Sequence, residues 1–305
     1  MDISIIVCTY NRCERLRNVL RDISSLMPPR DGGYEVVVVD NNSTDQTRAV
    51  VEAAMKGSQA VVRYGFEGRQ GKSHALNRGV QLATGAVLAF TDDDVEIERT
   101  WLVEIERAFT SHPCIGVGGR IVPMWSQGKP SWYVEQGPCA LMAAIVRLNL
   151  GEYACEMKAP PFGANMAFRR QAFERFGPFR TDLGPNPRDM VRGEDTEFGR
   201  RVLAAGEQVM YIPTMVVRHP VEGQRATKAY FRAWYFGHGR MLARTGDIPT
   251  GTIRYFRIPR YLFRGFIEAA VQWLCCPWPK HRFYYELQLY LVAGQIAEVR
   301  SHSRS

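Results

Sequence analysis

The stretch AVLAFTDDD, residues 86–94, joins an apolar run to three consecutive aspartates. The run has the length and composition of a buried β-strand. Three carboxylates at the end of such a strand repel one another, which displaces their pKa values unless a cation compensates the charge. A divalent ion such as Mg²⁺ or Mn²⁺ is one such cation, because both prefer oxygen ligands. For this motif taken alone, an acidic helix start favoured by the helix dipole is the alternative.

Apolar runs and amphipathic segments alternate over the first ninety residues. The predicted strands span 3–9, 34–40, 60–64 and 86–91, and a helical pattern lies between each pair. Strands that are apolar on both faces and alternate with helices are typical of a mostly parallel sheet with helices on both faces. The predicted fold class is therefore α/β and Rossmann-like.

Polar residues follow three of these strands. They are TYNR at 9–12, DNNSTD at 40–45 and TDDD at 91–94. In open α/β sheets, ligands bind beyond the carboxyl ends of the strands. We therefore expect the three stretches to converge on one cleft.

The second half of the chain is less regular. A long connection follows residue 122, and its Trp125 and Trp132 are candidates for stacking on a ligand ring, with core packing as the alternative. A strand is predicted in PPFGANMAFRR (160–170), a helix over 193–206 and a pair of strands over 208–220. The acidic GEDTEF (193–198) and the lone His219 are both expected to return to the cleft.

The net excess of positive charge is confined to the tail. Residues 1–220 hold 26 Lys and Arg against 26 Asp and Glu, whereas residues 221–305 hold 13 against 5, a net +8. Three helical stretches are predicted there, with arginines among aromatic residues. A helix over 260–276 would carry a broad apolar face made of Phe263, Phe266, Ile267, Ala270, Val271 and Leu274. This face fits an anionic membrane surface or packing on the preceding part of the chain. Nucleic acid is disfavoured, because the front of the chain is neutral and lacks an RNA-binding motif.

The lack of a recognisable signal peptide and the cysteine pattern both favour a cytoplasmic protein. The start of the chain lacks the basic region and cleavage site of a signal peptide. The seven cysteines include no CxxC pair, which predicts reduced thiols. The longest apolar stretch, 262–276, contains Arg264 and Glu268 and is shorter than the ~20 residues of a membrane span. With the basic tail, these features predict a peripheral location at the inner face of the membrane.

Two phosphate-binding motifs are excluded. The GKS at 71–73 would belong to a P-loop only with glycine at position 66, where the chain has Phe66. Lys72 can still contact a diphosphate, or it begins a solvated basic helix. No GxGxxG follows the first strand, so a dinucleotide-binding fold is disfavoured.

Seven motifs in order over residues 3–220 resemble the family-2 glycosyltransferases of the GT-A fold. They are IIVCTYNR, VVVVDNNSTDQT, GKSHALNRG, VLAFTDDDV, PPFGANMAFRR, GEDTEF and VVRHP. The resemblance implies a nucleotide-sugar donor, with TDDD as the DxD motif. With Lys72 added, the expected donor-binding residues are Thr9, Tyr10, Asn11, Arg12, Asp40, Lys72, Asp92 and Asp93. Asp94 and His219 are expected to bind Mn²⁺ or Mg²⁺.

The resemblance also implies the acceptor side. Asp195 matches the catalytic base with Glu194 as its acceptor-side partner, and Gly163 and Asn165 match the acceptor loop. The chemistry agrees, because displacing a nucleoside diphosphate needs a cation for the leaving group and a carboxylate for the acceptor proton. The expected reaction is inverting transfer from a UDP-sugar or related donor to a saccharide or lipid-linked saccharide. Cell-surface polysaccharide or glycolipid assembly is the expected setting.

The expected organisation is a nucleotide-sugar-binding half (1–115), an acceptor-binding and catalytic half (116–220) and the helical tail (221–305). A transferase acting on polyprenyl phosphate is an alternative, whose ionised acceptor needs no base. A noncatalytic sugar-nucleotide or membrane-binding module is another. A sugar nucleotidyltransferase is disfavoured, because TYNRCERLR is not a glycine-rich basic loop.

Overall fold

The computed structural model describes residues 1–57, 60–141, 143–185, 191–246 and 252–302. Contacts divide the chain into two compact units. The first comprises Met1–Met124, Val146–Pro187 and Glu194–Pro220, and the second comprises Trp125–Ile145, Arg188–Gly193 and Val221–Ser305. The expected boundaries differ from this division in two segments, because residues 125–145 and the short segment Arg188–Gly193 group with the tail.

The first unit begins with the alternation of strands and helices that the sequence predicts. Its elements are β1 (Ile3–Thr9), α1 (Cys13–Ser24), β2 (Tyr34–Asp40), α2 (Thr47–Gly57), β3 (Val61–Phe66), α3 (Lys72–Leu82) and β4 (Val87–Asp92). β1 pairs in parallel with β2 and β4, and β2 pairs in parallel with β3. Each predicted strand is present, to within about two residues at its ends.

The remaining strands extend the sheet with antiparallel pairs. The elements are β5 (Glu96–Ile97), α4 (Trp101–Ser111), β6 (Gly116–Trp125), β7 (Cys155–Glu156), β8 (Asn165–Arg169), α5 (Arg170–Phe176), α6 (Glu194–Ala204) and β9 (Val209–Val221). The strand order is β3-β2-β1-β4-β8-β6-β9-β5, with β7 beside β9. The prediction of two strands over 208–220 is wrong, because one strand of 13 residues continues through Pro213.

Helices cover both faces of this sheet, as expected. On β1, Ile3, Ile5 and Val7 pack with residues of α1, α2 and α4. Ile6 points to the other face and packs with residues of α3, α5 and α6. Successive side chains of a strand alternate between faces, so an apolar strand supplies both layers of the core. The α/β fold class is confirmed.

A buried carboxylate joins the first three strands. Glu35 of β2 accepts hydrogen bonds from Ser4 Oγ (2.7 Å), Thr84 N (2.6 Å), Thr84 Oγ1 (2.7 Å) and Arg63 Nε (2.6 Å). Burial disfavours the charged carboxylate, but these four donors outweigh it and lower the pKa of Glu35 to about 2. Ionised Glu35 therefore stabilises the fold.

The substitution Glu35→Gln tests this carboxylate. Because the pKa is lower in the folded state, the stabilisation is complete above the ordinary value of 4.5 and is lost as the pH falls toward 2. We expect Glu35→Gln to lower the free energy of unfolding by about 2 kcal/mol at pH 7, since water screens half-exposed Arg63 and reduces the full effect. Urea unfolding should show a smaller difference at pH 3.

Glu52→Gln is the matched control, because Glu52 forms an exposed pair with Arg48 on α2. It should leave stability unchanged at either pH. If Glu35→Gln destabilises the protein equally at pH 7 and pH 3, the lowered pKa of Glu35 is contradicted.

The second unit is mainly helical. It contains a 3₁₀ turn (Ala143–Ile145), α7 (Lys228–Thr245), a hairpin of β10 (Arg254–Tyr255) and β11 (Ile258–Pro259), α8 (Arg260–Cys275) and α9 (Pro279–His302). The three predicted helices are present, and the hairpin is an addition. A Cβ atom on Gly294 of α9 would overlap the carbonyl of Phe236 in α7, so glycine lets the two backbones touch.

Aromatic packing explains why residues 125–145 belong to this unit. The ring of Trp132 packs edge-on against Phe231 and Phe283, and the ring of Trp125 packs against Tyr133. Both tryptophans therefore pack against other aromatic side chains, the alternative to stacking on sugars. None of the helices within the described residues has both the length and the apolarity needed to cross a bilayer.

Candidate active site

The ends of three parallel strands lie side by side in the first unit. The β1–β2 register pairs Thr9 with Asp40, and the β1–β4 register pairs Cys8 with Asp92. The polar stretches that follow these strands therefore meet at one edge of the sheet, as the sequence predicts.

Asp93 joins the end of β4 to the end of β1. It is buried, and its Oδ2 accepts a hydrogen bond from Thr9 Oγ1 (2.7 Å). Its Oδ1 accepts a hydrogen bond from Arg12 Nη1 (3.0 Å). Burial raises the pKa of Asp93, although the Arg12 guanidinium acts in the opposite direction.

Asp94 presents its two oxygens to different partners. Oδ2 lies 3.3 Å from Arg12 Nη1 and 3.4 Å from Arg15 Nη1. Oδ1 lies 3.7 Å from Nε2 of His219. The sequence prediction omitted Arg15, although its spacing of three residues from Arg12 places both side chains on one side of the start of α1.

Asp92 is shared in a similar way. Its Oδ1 accepts a hydrogen bond from Lys72 Nζ (2.6 Å), and its Oδ2 lies 3.7 Å from Nε2 of His219. Burial acts to raise the pKa of Asp92, but Lys72 and His219 hold it well below its usual range. Asp92 is therefore ionised at neutral pH.

His219 directs one ring nitrogen toward these carboxylates. The imidazole is buried, and its Nδ1 lies 3.2 Å from the carbonyl oxygen of Pro220. A carbonyl only accepts, so in this bond Nδ1 carries a proton, and Nε2 is the ring nitrogen that faces the aspartates. One ligand atom from each of Asp92, Asp94 and His219 lies within 4.8 Å of the others. Two carboxylates and an imidazole can hold a divalent cation such as Mn²⁺.

Lys72 connects this cluster with the second acidic motif. At the start of α3, its Nζ contacts Asp92 and also lies 3.8 Å from Oε1 of Glu194. Burial acts to lower the pKa of Lys72, but the carboxylates of Asp92 and Glu194 outweigh it and raise that pKa. Burial and neighbouring Asp195 raise the pKa of Glu194 to about 7, with Lys72 opposing them. The two acidic motifs therefore share one cation.

Asp195 follows Glu194 as the second residue of α6 and is half-buried. Its Oδ2 accepts a hydrogen bond from Gly163 N (2.7 Å), and its Oδ1 accepts one from Thr196 N (2.6 Å). A Cβ atom at position 163 would lie 3.2 Å from Asp195 Oδ2, so glycine permits this approach. The structure thus places Gly163 against the expected base.

The loops after β1 and β2 contain residues that are expected to bind the nucleotide. Buried Asp40 accepts hydrogen bonds from Ser43 N (2.8 Å) and Tyr64 Oη (2.9 Å). Asn11 adopts φ = 52° and accepts a hydrogen bond from Thr44 N (2.7 Å), and neighbouring Tyr10 is exposed. The sequence prediction omitted Tyr64, whose role follows only from the pairing of β2 with β3.

Asn165 lies elsewhere than predicted. Its fully buried side chain accepts a hydrogen bond from Trp101 Nε1 (2.8 Å) and donates to the carbonyls of Arg120 and Met215 (both 2.9 Å). These bonds join β8, β6, β9 and α4. The predicted contact with an acceptor does not fit this location, because the side chain is inside the core.

The substitution Asn165→Ala separates the two roles. It leaves an indole N–H and two carbonyls buried without this partner, so we expect the free energy of unfolding to fall by about 3 kcal/mol or more. Trp101→Phe removes only the indole donor and should cost less. A stable Asn165→Ala variant with only a raised KM for acceptor would instead support acceptor binding. Urea unfolding and acceptor titration measure the two effects.

The sequence matches the model of the glycosyl transferase family 2 over residues 4–177. This is more than half of the chain, so the chain belongs to that family. It is a glycosyltransferase with the GT-A fold.

Two curated relatives are similar over most of the chain. The glucosyl-dolichyl phosphate glucuronosyltransferase of Haloferax volcanii is 26% identical, covering 79% of this chain and 76% of the relative. The succinoglycan biosynthesis protein ExoM of Rhizobium meliloti is 26% identical, covering 97% and 92%. Relatives of this chain therefore act in polysaccharide and glycolipid biosynthesis.

Solved structures share the fold. The mannosyltransferase PcManGT of Pyrobaculum calidifontis, in complex with GDP-mannose and Mn²⁺, superposes with a TM-score of 0.64 at 21% identity, covering 98% of this chain and 87% of that one. Residues 1–349 of S. aureus TarS in complex with UDP superpose with a TM-score of 0.54 at 15% identity, covering 100% and 92%. At these identities, the likeness concerns the fold alone.

Proposed function

We propose that this glycosyltransferase is metal-dependent and inverting, and that it moves a sugar from a nucleoside-diphosphate donor to a hydroxyl group. The proposal rests on a continuous series of contacts. It runs from Asp92 and its neighbours Asp94 and His219, through Lys72, to Glu194 beside Asp195. A cation site and a proton-accepting carboxylate are the two requirements of such a transfer.

Two carboxylates and an imidazole are ligands that suit Mn²⁺ or Mg²⁺, and the imidazole favours Mn²⁺. The ligand atoms would be Asp92 Oδ2, Asp94 Oδ1 and His219 Nε2. Arg12 and Arg15 hold the other oxygen of Asp94, which keeps Oδ1 turned toward the site. When bound, the ion supplies positive charge to the departing diphosphate.

Donor contacts are proposed at the ends of β1, β2 and β4. Lys72 stays cationic because its pKa is raised, so it can contact the diphosphate. The solved neighbours hold GDP-mannose or UDP, which supports a nucleoside-diphosphate donor, and UDP-sugars are our first choice. The proposed donor-binding residues are Thr9, Tyr10, Asn11, Arg12, Asp40, Lys72, Asp92 and Asp93.

Asp195 is the proposed base. It is more accessible than Glu194, and two backbone N–H groups fix its orientation. In a single displacement, the acceptor oxygen attacks the anomeric carbon, the bond to the diphosphate oxygen breaks and Asp195 takes the hydroxyl proton. This displacement inverts the anomeric configuration. Glu194, with a pKa of about 7, would hydrogen-bond the acceptor.

A saccharide or lipid-linked saccharide is the proposed acceptor. One relative is named for a dolichyl phosphate-linked glucose and another for succinoglycan. We further propose that the protein acts in cell-surface polysaccharide or glycolipid assembly. Residues 221–305 would hold it at the inner face of a membrane as a peripheral protein.

The metal site is tested by Mn²⁺ titration calorimetry. We expect Asp94→Asn and His219→Ala each to weaken Mn²⁺ binding at least about tenfold, because each removes a ligand. Mn²⁺ should also enlarge the thermal shift caused by UDP-glucose or GDP-mannose. Glu14→Gln is the control, since Glu14 is an exposed carboxylate on α1. Equal Mn²⁺ affinity in all four proteins would refute the site.

The base is tested with Asp195→Asn. Turnover with a hydroxyl acceptor should fall by at least about a hundredfold, while the donor-induced thermal shift stays unchanged. Asp182→Asn, in an exposed pair with Arg180, is the control. Near-normal turnover of Asp195→Asn would favour an acceptor that is already ionised, such as a polyprenyl phosphate.

A further inference from the structure

Helix α8 divides its apolar residues between two sides. Leu262 and Ala269 are buried, and Leu262 packs with Ile258 and Val292. Apolar side chains also line the opposite side at helical spacing. They are Ile267, Val271 and Leu274, each between 53% and 63% exposed, and Trp278 just after the helix is 66% exposed. The second unit therefore presents an apolar stripe to its surroundings.

The hairpin that precedes α8 presents a further apolar residue. Its two-residue turn is Phe256–Arg257, with φ values of 50° and 67°. Such turns favour Asn-Gly, because bulky side chains rarely adopt positive φ. Phe256 is nevertheless 87% exposed at the tip. It neither suits the turn nor fills a core, so an apolar partner outside the chain would account for it.

The hairpin and the helix are connected. β11 ends at Pro259, and α8 begins at the next residue. The ring of Tyr255 in the hairpin lies 6.4 Å from the ring of Phe263 in α8. Phe256 and the apolar stripe therefore belong to one packed element.

Exposed cations lie along the same stretch of chain as these apolar residues. Residues 254–282 contain six Lys and Arg against one acidic residue, Glu268, which pairs with Arg264 at 2.7 Å. All six cations are exposed, namely Arg254, Arg257, Arg260, Arg264, Lys280 and Arg282. Aliphatic and aromatic side chains among arginines are typical of helices that lie in the interface of an anionic bilayer.

We propose that this region is a membrane-docking surface, made of Phe256, Ile267, Val271, Leu274, Trp278 and the six cations. The apolar side chains enter the interface of an anionic bilayer, and the cations contact lipid phosphates. The helix lies along the membrane plane, since its 16 residues are fewer than a membrane span needs. This surface would account for the proposed peripheral location, and its binding to a membrane requires neither the nucleotide-sugar donor nor the metal ion.

Vesicle flotation of the full chain tests the apolar part. The wild type should float with vesicles of phosphatidylcholine mixed with phosphatidylglycerol, and less with pure phosphatidylcholine. Leu274→Ser should weaken this partitioning about tenfold, because it removes an inserted side chain. Phe256→Asn should weaken it similarly while the thermal midpoint stays or rises, because asparagine adopts positive φ readily. Tyr153→Asn is the matched control, since Tyr153 of the first unit is 86% exposed, and it should change nothing.

Charge substitutions test the lipid phosphates. Arg254→Gln and Arg257→Gln should each weaken binding to anionic vesicles about fivefold, with no effect on neutral vesicles. Arg48→Gln, on an exposed helix of the first unit, should have no effect. Added salt should weaken the binding of the wild type.

Three outcomes would overturn the docking surface. In the first, Phe256→Asn combined with Leu274→Ser binds anionic vesicles as the wild type does. In the second, light scattering shows a wild-type dimer that Leu274→Ser dissociates with vesicle binding unchanged, so that the surface joins two copies. In the third, the wild type fails to bind vesicles yet transfers sugar, which leaves the proposed reaction intact. Vesicle binding without transfer would refute the reaction alone.

Discussion

The organisation of the first unit depends on the repulsion among three aspartates at the end of β4. Carboxylates so close together and so buried are costly unless cations and hydrogen-bond donors compensate them. The compensating groups come from separate elements, because Arg12 and Arg15 belong to the start of α1, and Lys72 belongs to the start of α3. Compensation of the three aspartates therefore requires the starts of α1 and α3 to lie at one edge of the sheet.

This compensation also gives neighbouring carboxylates different properties. Asp92, beside Lys72, keeps a pKa well below its usual range, whereas burial and Asp195 raise the pKa of Glu194 to about 7. Both carboxylates contact the same ammonium group. Environments that push the pKa values of titratable groups apart are characteristic of sites that bind cations and transfer protons. The proposed division between a leaving-group side and an acceptor side follows from this difference.

In the second unit, ion pairs between helices neutralise part of the excess positive charge. Arg240 and Arg244 of α7 pair with buried Glu298 of α9, and Arg232 pairs with Glu286. These pairs lie beside the close approach of the two helices at Gly239 and Gly294. The exposed cations are instead concentrated along the hairpin, α8 and the start of α9, which also carry the exposed apolar residues.

The sequence by itself determined the α/β alternation, both acidic motifs and the meeting of three strand ends, because these follow from local periodicity and from the rule for parallel sheets. Tertiary structure decided which way each side chain points. Asn165 is inside the core rather than at an acceptor, Arg15 reaches Asp94, and Lys72 joins two acidic motifs about 100 residues apart. It also assigned residues 125–145 to the tail. Such contacts depend on strand register and helix placement, which involve residues far apart in the chain and leave no local pattern.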